Sequence, residues 1–149
     1  MVCILSLLQS NIQAKLRPAV WLPGVRNLHS CAERWEIPEL VPEESLQKVI
    51  DAVARLAEME DIYLHSVDRE KNFVQIFCYT KAGWLDVVEI DLYPGRFQGT
   101  QGNARSFSTG LLPVWVPLSF LLNSIFFFVP FYDRNLNRNA CKASKMPYT

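Results

Sequence analysis

The chain has 149 residues, half of them hydrophobic and a fifth charged, with fifteen basic and fifteen acidic side chains. That length suits one domain with a core large enough to stand alone, and the apolar share excludes a disordered or low-complexity chain. Zero net charge conceals a segregation, since residues 1–32 carry +3, residues 33–91 carry −8 and residues 92–149 carry +5. A pI near 6.7 makes no case for nucleic acid, which asks for a strongly basic domain or stripe.

Residues 1–8, Met-Val-Cys-Ile-Leu-Ser-Leu-Leu, have the apolarity of a signal-peptide core. No positive residue precedes them and Ile12-Gln13-Ala14 is a poor cleavage site, so a cleaved signal is not favoured. Residues 9–41 hold Pro18, Pro23, Gly24 and Pro38 with little periodicity and read as an irregular arm, anchored by Ala19-Val20-Trp21-Leu22. From Pro42 to residue 60 the spacing predicts an amphipathic helix, with Leu46, Val49, Ile50, Val53 and Ala57 on one face. Pro42 fits a first-turn position, and Glu43 and Glu44 lie where the helix dipole favours negative charge.

Strands are predicted over 62–67 and 73–79, separated by the polar turn Asp68-Arg69-Glu70-Lys71-Asn72. Trp84 to Leu92 alternates imperfectly, placing Trp84, Asp86, Val88, Ile90 and Leu92 on one side and Leu85, Val87, Glu89 and Asp91 on the other. The run Pro94–Gly102 has the residues of a hairpin loop, returning through Ala104–Ser108. Gly95, Gly99 and Gly102 match neither phosphate-binding glycine fingerprint, so the plain loop is the better reading.

From Thr109 to Tyr132 the chain has no charge, long enough to nominate a membrane span. Pro113, Pro117 and Pro130 interrupt it and leave Leu118–Val129 as uninterrupted helix, about 18 Å against a hydrocarbon core of ~30 Å. Three readings stay open for Leu111–Phe131: a kinked span, an interfacial or re-entrant hairpin, and an insertion covered by the protein or a partner. Phe120, Phe126, Phe127 and Phe128 are the expected contacts with a membrane or an apolar protein surface.

Catalytic and metal chemistry find little support. Cys3, Cys31, Cys78 and Cys141 lack zinc-ligand spacing and read as free thiols, and no Asn-x-Ser/Thr acceptor occurs. His29 and His65 have no nucleophile placed beside them by any motif. Asp86 falls on the opposite strand face from Glu89 and Asp91, so the three do not make a cation site.

Three segments stand out in order: Trp84–Leu92, then Ala104-Arg105-Ser106-Phe107-Ser108, then Tyr132-Asp133-Arg134-Asn135-Leu136-Asn137-Arg138. Together they resemble the family called domain of unknown function fourteen ninety-nine, with its Asp-Val-Glu strand, Arg-Ser-x-Ser strand and Asp-x-x-x-Asn-Arg element. The likeness runs over roughly residues 40–142, with the apolar stretch Leu111–Phe131 as an insertion and a short closing segment after Arg138. The family's activity is unassigned, so the resemblance implies a fold and no reaction. Physically, Asp86, Glu89, Asp133 and Asn137 suit a structural polar cluster, and Arg105, Ser106, Ser108 and Arg138 suit an anion or small-ligand site.

The expectation is an α+β protein: one amphipathic helix on an antiparallel sheet of about four or five strands, with an apolar helical insertion near the C-terminus. Its parts are an irregular arm over 1–41, a domain over 42–142 containing the insertion 111–131, and a tail over 143–149. The expected function is non-enzymatic attachment to a membrane or a partner through Leu111–Phe131, with no cofactor, metal or nucleic acid. The competing expectation is a cytoplasmic small-ligand or anion binder, or an enzyme, using the Arg-Ser cluster.

Overall fold

The computed structural model describes residues 4–16, 30–58, 60–95 and 99–126. In chain order the elements are α1 (Ile4–Lys15), β1 (Ser30–Pro38), α2 (Pro42–Ala57), β2 (Ile62–Asp68), β3 (Phe73–Tyr79), β4 (Leu85–Pro94), β5 (Gly99–Ser108) and α3 (Ser119–Ile125). The strands form one five-stranded sheet in the order β1-β5-β4-β3-β2. Every neighbouring pair is antiparallel. The chain is therefore α+β, with α2 on one face of the sheet and α1 with the 109–126 segment on the other.

Pro42 opens α2, Glu43 and Glu44 occupy its first turn and Arg55 its last, so the helix dipole is complemented at both ends. Its stripe of Leu46, Val49 and Val53 packs on Val74, Ile76, Val88, Ile90, Leu92 and Ala104. On the opposite face Phe77, Leu85, Val87 and Phe107 form a second core, covered by Ala14 from α1 and by Val114. β4 sits in the middle of the sheet with both faces covered, which explains why its alternation is imperfect in the sequence.

Two expectations are corrected here. The arm over 1–41 was expected to be irregular, yet its described residues include α1 and the edge strand β1. β1 escaped notice because it mixes Glu33 with Trp35 and Ile37 on its inward side. The anchor at Ala19–Leu22 lies outside the described residues. The helix expected over Leu118–Val129 is a seven-residue helix among the described residues, about 10 Å long by rise. Turns containing Pro113 and Pro117 precede it. No helix among the described residues is long and apolar enough to cross a membrane.

The β4–β5 hairpin is tighter than the glycine run suggested, since the Gly95 N–H already donates to the Gly99 carbonyl at 2.7 Å. Gly99–Ser108 all pair with β1 or β4. At Gly102 the absent side chain admits the Trp35 ring, because a Cβ there would lie 2.5 Å from its nearest atom.

Candidate functional site

Strand alternation divides the residues that the sequence groups as one polar site. Ser108 pairs with Asp86 and Ser106 with Val88, all on the α2 face. Arg105 is paired with Glu89 on the opposite face, so the Arg105, Ser106, Ser108 trio cannot close on one ligand. On the α2 face the Ser108 hydroxyl donates to the buried Asp86 carboxylate. Cys78, register partner of Asp86, has its thiol pushed up to about 12 by burial and then by the negative charges of Asp86 and Glu60. A thiol held protonated is a poor nucleophile. Cys31 and Cys78 are both free of disulfides.

The opposite face carries the row Arg105, Glu89 and Gln75, whose amide donates to the Glu89 carboxylate at 2.9 Å. Burial, and then the neighbouring Glu89 charge, raise the Asp91 carboxyl above its usual range. His65 stacks on Phe77 with ring centroids 4.0 Å apart. Its pKa is lowered by burial first and by Lys15 second. The histidine and the Asp86–Ser108 pair are thus on different faces, and no Ser-His-Asp relay forms between them. Among the described residues no three His, Cys, Asp or Glu side chains converge to hold a metal. Asp133, Asn137 and Arg138 lie outside the described residues.

A different surface emerges from α1. This helix is turned inside out: Gln9, Ser10, Gln13 and Ala14 are buried, while Ile4 is 85% exposed and Leu8 58% exposed. The Gln9 amide donates to the carbonyls of Val114 at 2.8 Å and Val116 at 3.1 Å. The Gln13 amide donates to the Thr109 carbonyl at 3.1 Å and to its hydroxyl at 2.8 Å. The Tyr79 hydroxyl donates to Ser10 at 2.9 Å. The glutamine amides thereby supply donors to the backbone carbonyls of Thr109 and Val114 in the segment they cover.

α3 packs beside α1, and its own apolar residues point outward as well. Leu118, Leu121, Ile125 and Phe126 are exposed, and so is Trp115, at 63%. Of the expected contacts, Phe120 is half-buried, Phe126 is exposed, and Phe127 and Phe128 lie outside the described residues. Trp115 is held from behind, its indole N–H donating to the Ala82 carbonyl at 3.1 Å. Gly83 faces this ring with φ +82°, and a Cβ would meet it at 2.6 Å, so both backbone shape and space require glycine. Trp84 mirrors the arrangement by donating to the Leu111 carbonyl at 3.1 Å. The exposed residues of 115–126 fall within the apolar stretch Leu111–Phe131, whereas the outward side of α1 has no counterpart in the sequence expectations. The available signal was Gln9 and Gln13, four residues apart and so on one helical stripe.

No family model matches the chain, and no curated protein matches it in sequence. Among solved structures it is distantly similar to the protein DR_A0006 of Deinococcus radiodurans. That pair is 11% identical, covers 74% of this chain and 98% of the other, and has a TM-score of 0.40. It is also similar to Ara h 8.0201, at 9% identity over 78% of this chain and 94% of the other, with a TM-score of 0.39. Likeness at these scores transfers no ligand and no activity.

Proposed function

We propose that the protein attaches peripherally to a lipid bilayer through the outward apolar residues of α1 and α3, and that it works by binding rather than by catalysis. The observation that carries this reading is the inverted α1. A helix that spends glutamine and serine on its inner side and leaves Ile4, Leu7 and Leu8 in water has placed its apolar face for something else to cover. Leu118, Leu121, Ile125 and Phe126 extend that face, and Trp115 suits the headgroup boundary, where amphipathic rings concentrate. Burying Leu8, Leu121 and Ile125 contributes roughly 1 kcal/mol apiece at ~25 cal/mol per Å². Interfacial helices dock in this way, lying in the plane of the membrane with their apolar side inserted shallowly.

Kinship with domain of unknown function fourteen ninety-nine is part of this proposal. The order helix, strands, Arg-Ser-x-Ser strand across residues 42–108 supports it.

Flotation of the full chain with phospholipid vesicles tests the attachment. The wild-type chain is expected to float, and the double variant Leu121→Asp, Ile125→Asp to remain at the bottom of the gradient. Both residues are about half exposed, at 47% and 53%, so their circular dichroism and melting should stay close to wild type. A folded wild-type chain that never floats would give the surface to a protein partner instead.

A further inference from the structure

We infer that the face made by α1 and α3 selects bilayers by their packing, docking on curved or loosely packed membranes whatever the charge of their headgroups. The inference rests on the peripheral-docking reading above and deepens it. Along α1 and residues 109–126 the one charged side chain is Lys15. The charges bordering the face cancel: Lys15 and the exposed Lys81, in the turn whose Ala82 carbonyl holds Trp115, stand against the exposed Glu60 and Asp61, where the Asp61 carbonyl accepts the Tyr79 N–H. Farther along the same side of the sheet, Arg34 and Arg105 are set among Glu36, Glu89 and Asp91, which adds no positive charge. The described residues on this side therefore offer anionic headgroups no attraction, and affinity falls to buried apolar area alone.

The face is also preformed and shallow. Gln9 and Gln13 tie α1 to the carbonyls of Val114 and Thr109, and Ser10 accepts the Tyr79 hydroxyl. These polar groups lie behind the helix, so α1 cannot sink into hydrocarbon without carrying them along or breaking their bonds. What reaches the lipid is the length of single side chains such as Leu8, Leu121, Ile125 and Phe126. On a flat, tightly packed bilayer the headgroups cover the acyl chains, and these side chains meet a polar surface. Curvature and kinked acyl chains open gaps in the headgroup layer, and there the same side chains are buried at once. An apolar face with no electrostatic anchor binds in proportion to such gaps, which is the origin of curvature and lipid-composition sensitivity at interfaces.

The test uses the full chain and unsaturated phosphatidylcholine vesicles of two sizes, about 30 nm and about 200 nm across, compared at equal accessible lipid. Binding to the small vesicles is expected to be at least about fivefold tighter. Raising the salt, or replacing about 30% of the lipid by phosphatidylserine, should change binding to either size by less than about twofold. Equal binding to small and large vesicles overturns the inference and leaves peripheral docking standing. So does binding that needs phosphatidylserine and falls as salt is raised, because headgroup charge would then be the feature selected. Binding to no vesicle of either size or composition overturns the docking reading itself.

Discussion

The Asn123 side chain closes on both backbone groups of Leu112, accepting its N–H at 2.7 Å and donating to its carbonyl at 2.9 Å. Asn123 is 3% exposed, so this clamp is what ties α3 back to the turns that lead into it. Replacing it by alanine orphans a donor and an acceptor together. We expect Asn123→Ala to cost about 2–3 kcal/mol of α3 docking, at ~1–3 kcal/mol for each unsatisfied group. Urea denaturation, with limited proteolysis around residues 111–118, measures the loss.

Gln9 gives a result opposite to hydrophobic intuition. Its inner position on α1 invites Gln9→Leu as an improvement in packing, yet the buried Val114 carbonyl would lose the amide it accepts from, while Val116 would keep only the Ser119 N–H. The substitution should destabilise the chain by about 1–3 kcal/mol. Thermal melting decides the sign.

Leu118 separates stability from attachment. It holds φ 60° and ψ 19° at the start of α3, a left-handed conformation that costs a non-glycine residue about 1–2 kcal/mol. Its side chain is exposed, so little packing repays the strain within the molecule. Leu118→Gly should raise the melting temperature and weaken vesicle binding. A loss of stability in that variant would mean that Leu118 packs inward in solution.

The sheet face under Asp91 sets a pH dependence. Burial and Glu89 raise its folded pKa above the unfolded value, so the contribution favourable to folding is present below pH ~3.8 and is lost as pH rises through the folded pKa. Asp91→Asn should therefore shift the urea midpoint upward at pH 7. The gain should shrink toward zero as pH is lowered below the usual carboxylate range. Midpoints across that range for both proteins provide the check.

Much of the fold was legible because the periods were clean. The stripe of Leu46, Val49 and Val53 marked α2, and β2, β3 and β4 were bounded by Asp68–Asn72 and Lys81–Gly83. α1 was not legible, because the usual inference assigns apolar residues to the interior, and here Gln9 and Gln13 hold that side by bonding to backbone carbonyls. β5 was half visible, since Gly99–Gly102 looks like a loop until the Trp35 ring on β1 is placed over Gly102. The grouping of Arg105 with Ser106 and Ser108 divides for a simpler reason. Arg105, Ser106 and Ser108 are close in sequence, but the two-residue period of a strand sends Arg105 away from both serines.

Peripheral docking as proposed buries α1 and α3 against the bilayer. Amide hydrogen exchange of the full chain with and without vesicles maps this directly. Slowed exchange over residues 4–16 and 111–126, with α2 unchanged, is the expected result. Vesicle binding that leaves these two segments unprotected, or protects α2 instead, would contradict it.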